Sequence, residues 1–324
     1  MSLLARIRTA DRSRRLITAA YAPSTIARYS AAVCGFITWL LEEDADIFDE
    51  QLDYEDLDNL LVEFFHASQT NGAGKTLAIT TLSGVLHYLP HARADLPDAH
   101  LCVRGWMKLE PVVSHPPITW DLATAVAVQM FRHGIEWFRD AVGVLLSFDC
   151  LLRVGELCRL RKEDVGDAKD GRLGRDFKGV LLRLRTTKTG SNQSVSVDEE
   201  GVQTLLRQVI AATAPRQPLF PSTTRVFRRR FQTACTELGL RARYVPHSLR
   251  HGGATRLYLR GVRVEDIMLR GRWVASKSAR IYIQSGKAAL LAVDVPPRLA
   301  STAAVLADDI VAAFALVAGH LARH

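Results

Sequence analysis

The stretch VPHSLRHGGATR, residues 245–256, holds His247, Arg250 and His251 within five positions. Two imidazoles at i and i+4 share one side of a helix and suit metal ligation or proton transfer, while a guanidinium forks onto an anion. A zinc-peptidase helix needs Glu directly after its first His. Ser248 stands there, and no third ligand follows with metal-site spacing, so no metal is expected. Three other places carry reactive side chains. In LLRVGELCRLRKEDV, Arg153 lies beside the apolar stripe of Leu145, Phe148 and Leu152, with Glu156 three residues on. A cation in such company is costly unless paired, so this is either a helix-surface ion pair or an Arg oriented for a buried phosphate. Lys188 lies in TTKTGSN, and Trp273 and Tyr282 lie nine residues apart in RGRWVASKSARIYIQSG. Taken singly, these are a solvent-facing turn lysine and two core aromatics.

The elements that must position these groups read as mainly helical. Apolar residues recur at helical spacing in TIARYSAAVCGFITWLLEE, where Ser24 and Thr25 follow Pro23 as cap signals, and again in YEDLDNLLVEFFHASQ and KTLAITTLSGVLHYLP. LEPVVSHPPIT is proline-rich and aperiodic, which marks a linker. Beyond it, TWDLATAVAVQMFRH and EWFRDAVGVLLSFDCLLRVGELCRL are expected to be helices. LLRLRTTKTGSNQSVSVD alternates about a Gly-Ser-Asn turn, which predicts a β-hairpin. Helices resume in EEGVQTLLRQVIAATA, TRVFRRRFQTACTELG, SLRHGGATRLYLRG and RVEDIMLRG. The expected segments are a basic arm at 1–17, a helical domain at 18–108, a linker at 109–117, an α-rich domain with a small antiparallel sheet at 118–295, and a tail helix at 296–324.

The chain has 324 residues, 48% hydrophobic and 23% charged, enough for two globular domains. Its net charge is +8, its pI about 9.4, and 34 of its 42 basic residues are Arg. Such an excess fits either a polyanionic partner or an Arg-rich coding bias. The N-terminal MSLLARIRTADRSRRLITAA reads as a basic arm lying on nucleic acid in preference to an organelle presequence. Five scattered cysteines without a C-x-x-C pair fit reduced thiols in an intracellular protein. The apolar tail AAVLADDIVAAFALVAGHLA is interrupted by Asp308 and Asp309, so no membrane span is expected. NGAGKT, residues 71–76, lacks the first Gly of a P-loop and follows a helix. It reads as a turn whose Lys75 and Thr76 open the next helix, where they can meet a phosphate. In RVFRRRF, Arg225, Arg228, Arg229 and Arg230 share a helix with Val226, Phe227 and Phe231, one face apolar and the other cationic, as a solvated face or a phosphate-contacting one.

In order and spacing, Arg153-x-x-Glu156, Lys188, His247-x-x-Arg250, Trp273 and Tyr282 resemble the signature of the tyrosine recombinase (phage integrase) family. That signature is R-x-x-E, a hairpin Lys, H-x-x-R, a His or Trp, and a Tyr. The stretch from His247 to Gly286 looks closer to recombinases of eukaryotic mobile elements than to bacterial resolution enzymes. The N-terminal half looks like the family's helical, SAM-like core-binding domain. One departure is visible: the family often has Gly two residues before its first Arg, and Leu151 stands here.

The resemblance implies a site-specific enzyme that clamps double-stranded DNA and cuts and rejoins it without a cofactor. Arg153 and Arg250 would bind the scissile phosphate, Lys188 would protonate the leaving 5′-oxygen, and Trp273 would donate its indole N–H. Tyr282 would attack phosphorus with His247 as base, giving a 3′-phosphotyrosyl intermediate. Glu156 and His251 would orient these groups. Arg28, Lys75, Thr76, Arg228, Arg229 and Arg230 are the candidate DNA contacts. Family members act as tetramers on two duplexes, and the tail helix would dock on a neighbour or on its own domain. The compartment would be the nucleus in a eukaryote and the cytoplasm or nucleoid in a bacterium. A type IB topoisomerase-like relaxing enzyme and a catalytically inactive DNA-binding protein remain as alternatives.

Overall fold

A computed structural model describes residues 16, 19–43, 53–111, 115–167, 179–187, 190–240, 244–284, 286–287, 289–290 and 294–323. The expected basic arm, apart from Leu16, lies outside them, and so does Lys188. The chain forms two compact units, Met1–Val113 and Ser114–His324. No single helix among the described residues is long and apolar enough to cross a membrane. All five cysteines are free thiols.

The first unit contains α1 (Pro23–Glu42), α2 (Tyr54–Thr70), α3 (Thr76–Tyr88) and α4 (Pro97–Leu109). Pro23 itself opens α1, so Ser24 and Thr25 sit inside its first turn and give no cap. Val33, Phe36 and Leu40 form its buried stripe. At α2, Asp53 accepts from the backbone N–H groups of Glu55 and Asp56, and Asp56 answers by accepting from the Asp53 N–H. The buried Asp58 of α2 accepts from the N–H groups of Asp98 and Ala99, satisfying orphan donors at the start of α4. Phe36, Leu61, Phe65, Leu82 and Trp106 meet in one apolar core.

The second unit contains α5 (Trp120–Arg132), α6 (Phe138–Asp149), α7 (Val154–Leu157), β1 (Val165–Asp167), β2 (Val180–Thr187), β3 (Gly190–Val197), α8 (Glu200–Ala211), α9 (Thr224–Glu237), α10 (Pro246–Leu259), α11 (Val264–Gly271), α12 (Ser276–Tyr282), α13 (Pro297–Asp308) and α14 (Ile310–Leu321). The mainly helical class with a small antiparallel sheet is borne out. Helix α5 is buried on nearly every side, as its run of Ala, Val and Leu requires. The sheet order is β1-β2-β3, all antiparallel. Val180, Leu182 and Leu184 face the core while Arg183 and Arg185 face out, the alternation the sequence shows.

Three local expectations change. Gly190, Ser191 and Asn192 belong to β3, paired with β2 through Thr187↔Gly190 and Thr186↔Ser191, so the expected turn residues lie inside a strand. The single helix expected across residues 136–160 breaks after Asp149, where Leu151 turns left-handed at φ 50°. The tail forms two helices bent by 102°, because Asp309 ends α13 and caps α14 by accepting from the Ala312 N–H at 2.9 Å. It packs on its own unit, with Phe314 against Phe131 and Phe138.

Helix α10 is the structural oddity. It has almost no apolar stripe, yet Pro246 and Ser248 through Thr255 are buried. Gly252 and Gly253 make that possible. A Cβ on Gly252 would fall 1.9 Å from the Ile118 carbonyl oxygen, and one on Gly253 would fall 2.2 Å from that of Phe148. The missing side chains let α10 lie directly on neighbouring backbone.

Candidate active site

The break between α6 and α7 builds one wall. Arg153 is not inside a helix: it is the extended residue that caps α7. Glu156, one turn in, reaches back to accept from the Arg153 backbone N–H at 2.9 Å and from its Nη1 at 2.8 Å. The R-x-x-E spacing is therefore capping geometry. The Arg153 side chain keeps 23% exposure while that of Glu156 keeps 2%. Burial raises the Glu156 carboxyl, but Arg272 and Arg153 together hold it below the usual carboxylate range.

The other wall is α10. Arg250 is 0% exposed and donates from Nη1 to the Leu151 carbonyl and from Nη2 to the Gly271 carbonyl. Its guanidinium lies 4.5 Å from the Trp273 ring centroid and 5.3 Å from that of Tyr282. Its Nε–H has no hydrogen-bond partner among the described residues, and neither has the buried indole N–H of Trp273. Burial, then Arg153 and Arg272, push the Arg250 guanidinium down to about 9.

Tyr282, the last residue of α12, completes the site. Its hydroxyl lies 3.0 Å from His247 Nε2. Its ring stacks on His251 at 4.5 Å and leans on Trp273 at 4.7 Å. Thr255 Oγ1 donates to the Tyr282 carbonyl and accepts from the Gln284 N–H. The Gln284 amide meets His251 Nδ1 at 3.0 Å. Burial, then Arg250, His115, Arg153 and Arg228, lower His247 to about 4; burial and His247 lower His251 to about 3. Both imidazoles are neutral at ordinary pH, and a neutral His247 can accept the Tyr282 proton.

Of the residues singled out in sequence, Arg153, Glu156, His247, Arg250, His251, Trp273 and Tyr282 thus meet in one place. Lys188 lies outside the described residues, between strands that end at Thr187 and resume at Gly190. Arg228 and Arg229 are exposed on α9. Arg230 turns inward: it donates to Asp140 Oδ2 at 2.8 Å and the Glu136 carbonyl at 3.0 Å, and lies over Trp137. In the first unit, Arg28 and Thr76 are exposed, while Lys75 donates from Nζ to the Glu110 carbonyl.

Sequence reasoning missed four participants. Arg272 and Gln284 sit inside the stretch already quoted, next to residues that drew all the attention. Thr255 is an unmarked helix residue. His115, whose ring lies 5.9 Å from that of His247, falls in what reads as a proline-rich spacer.

The sequence profile of the phage integrase family matches residues 127–288, half of the chain, including Arg153, Glu156, His247, Arg250, His251, Trp273 and Tyr282. The chain belongs to the phage integrase family. A curated tyrosine recombinase from Pseudothermotoga lettingae (strain ATCC BAA-301 / DSM 14385 / NBRC 107922 / TMO) is 28% identical over 137 residues, 40% of this chain and 43% of the relative, so the chain spans less than half of that protein's length. Among solved structures, the 75–356 fragment of lambda integrase, a dimer bound to a COC′ core site, is 17% identical with a TM-score of 0.61 over 88% of this chain and 96% of the other. A Tn1549 transposon integrase in complex with transposon right end DNA is 12% identical, with TM-score 0.61 over 91% and 100%. A lambda integrase tetramer bound to a Holliday junction is 16% identical, with TM-score 0.60 over 88% and 78%. At such identities these structures establish the integrase fold. The residue geometry above stands independently of them.

Proposed function

We propose that this phage integrase family member is a site-specific recombinase that cuts and rejoins double-stranded DNA through a 3′-phosphotyrosyl intermediate. The carrying observation is a pair of unmet donors beside a nucleophile and its base. Among the described residues, the Nε–H of Arg250 and the indole N–H of Trp273 are buried without partners, next to a Tyr282 hydroxyl 3.0 Å from His247. A buried unpaired donor is costly, and a phosphate oxygen relieves it.

In this reading the scissile phosphate binds Arg153, Arg250 and Trp273, which counter the charge that grows on its non-bridging oxygens. Tyr282 Oη attacks phosphorus and its proton passes to His247 Nε2. The bond from phosphorus to the 5′-oxygen breaks, the electron pair leaves with that oxygen, and Lys188 gives it a proton. The cations that depress His247, Arg250 and Arg153 foremost among the arginines, are those the phosphate would neutralise. Binding of DNA therefore strengthens His247 as a base at the moment it is needed. A 5′-hydroxyl reverses the steps and rejoins the strand, so the energy of the phosphodiester is kept in the phosphotyrosine. Arg28, Thr76, Arg228 and Arg229 are assigned to the DNA backbone, and several copies assemble on the DNA, as lambda integrase does on a Holliday junction.

The experiment is incubation with a nicked suicide duplex whose site the protein has selected from a randomised duplex library. An SDS-stable protein–DNA adduct with wild type, absent with Tyr282→Phe, is the expected result. Equal DNA binding by both proteins with no adduct from either would reduce the protein to a DNA-binding adaptor.

A further inference from the structure

One cation beside Arg250 has no part in the steps above. Arg272 adopts the left-handed conformation, φ 57° and ψ 44°, and its side chain is 2% exposed. Its Nη2 donates to Glu156 Oε2 at 3.0 Å and to the Leu151 carbonyl at 2.8 Å. Its Nη1 donates to the carbonyls of Arg270 at 2.8 Å and Cys150 at 3.3 Å. With these nitrogens spent on protein acceptors, Arg272 is not placed to touch DNA.

What it holds is informative. The other oxygen of Glu156 takes Arg153 Nη1. The Leu151 carbonyl also takes Arg250 Nη1, and Gly271, immediately before Arg272, gives its carbonyl to Arg250 Nη2. One residue is thus bonded to an acceptor of each of the two arginines assigned to the phosphate. Two left-handed non-glycine residues, Leu151 and Arg272, meet in that same hydrogen bond. A left-handed side-chain-bearing residue is strained, and a buried ion pair returns little net stability against apolar packing. Both costs fall on Arg272. A feature that costs stability twice at the edge of an active site is kept for the position it imposes.

We propose that Arg272 is a positioning residue for the phosphodiester chemistry. It fixes Glu156 and the Leu151 turn, and through them aims Arg153 and Arg250 at one phosphate. The proposal rests on the recombinase reading above.

The test is the single-turnover rate of adduct formation on the selected suicide duplex, with DNA affinity by fluorescence anisotropy and melting by calorimetry alongside. At saturating protein, Arg272→Gln is expected to slow the adduct about 100-fold, the scale of one lost preorganised donor, with affinity changed less than about 3-fold. Arg272→Lys keeps the charge without the fork and is expected to retain about a tenth of the wild-type rate. Two readouts separate positioning from support of the fold. The double variant Glu156→Gln/Arg272→Gln should be no slower than Arg272→Gln alone, since Glu156 aims Arg153 only while Arg272 holds it. A neutral methylphosphonate at the scissile position lacks the charge the arginines answer, so the loss in Arg272→Gln should shrink to less than about 10-fold there. Should Arg272→Gln not fold, Arg272→Lys on the two linkages carries the same comparison. Wild-type rates in the variants, additive losses, or equal losses on both linkages overturn the proposal and leave the wild-type adduct standing. A wild type that forms no adduct overturns the recombinase reading first and this proposal with it.

Discussion

Helices α9 and α10 both carry clusters of basic residues, yet they bury opposite parts of themselves. In α9, Phe227, Phe231, Ala234 and Cys235 form the buried stripe, while Arg228 and Arg229 stay in solvent. Burial of that stripe at roughly 25 cal/mol per Å² stabilises the helix whatever its arginines do. In α10, the buried set includes Ser248, Arg250 and His251, and two glycines stand where larger side chains would pack. Its cations are desolvated, so each must be answered by a carbonyl, a ring or a ligand. On the proposed reading, the exposed Arg228 and Arg229 of α9 serve DNA affinity and the buried groups of α10 serve the chemistry.

The contrast is broken most severely at Arg250. Arg250→Gln is expected to lower the single-turnover adduct rate on the order of 10²–10³-fold at saturating protein. If the loss appears in DNA affinity instead, α10 is merely another DNA-contacting helix. A second blow falls on packing. Gly252→Ala drives a methyl group into the Ile118 carbonyl and is expected to destabilise the protein by about 1–3 kcal/mol, read as a fall in melting temperature. By comparison Arg229→Ala on exposed α9 should stay within about 0.5 kcal/mol.

The third prediction sharpens the difference in solution. Arg228→Ala and Arg229→Ala should each lower the slope of log affinity against log salt by about 1, with the rate at saturation unchanged in Arg229→Ala. The fourth concerns protons. His247 and His251 are held at about 4 and about 3, against 6.5 for a free imidazole, so in the fold they are neutral above those values. Between pH 6.5 and about 4 the unfolded chain binds more protons at these residues than the folded one. Their contribution to stability is complete above about 6.5 and declines as pH falls. Imidazole nitrogen shifts in NMR should show both rings titrating below pH 5. A midpoint near 6.5 for either would show a hydrated ring and break the contrast between α9 and α10.

Much of this was legible in the residues. Helical spacing marks α1, α2 and α9 because each buries one stripe, and alternation marks β2 because Val180, Leu182 and Leu184 share one face. The helix break at Leu151 was not legible, since nothing local marks a leucine for the left-handed region; long-range bonds from Arg250 and Arg272 to its carbonyl, and packing of its side chain against Ala254, Ile267 and Trp273, hold it there. The family's glycine at that position is the one hint, and it was visible as a departure. The hairpin connection was misplaced by Gly-Ser-Asn, whose turn preference yields to pairing with Thr186 and Thr187. Arg230 looked identical to Arg228 and Arg229 because its partner Asp140 lies 90 residues away in sequence. Spacing revealed the order of Arg153, His247, Arg250, Trp273 and Tyr282. It could not reveal Arg272, whose importance lies in which carbonyls it reaches.

The central claim is that Tyr282 becomes bonded to the phosphorus that Arg250 and Trp273 await. Nuclease and protease digestion of the wild-type adduct, followed by mass spectrometry, tests it directly. A nucleotide joined through its 3′-phosphate to the phenolic oxygen of Tyr282 is the result expected. A nucleotide on any other side chain, or one attached through its 5′-phosphate, would contradict the account.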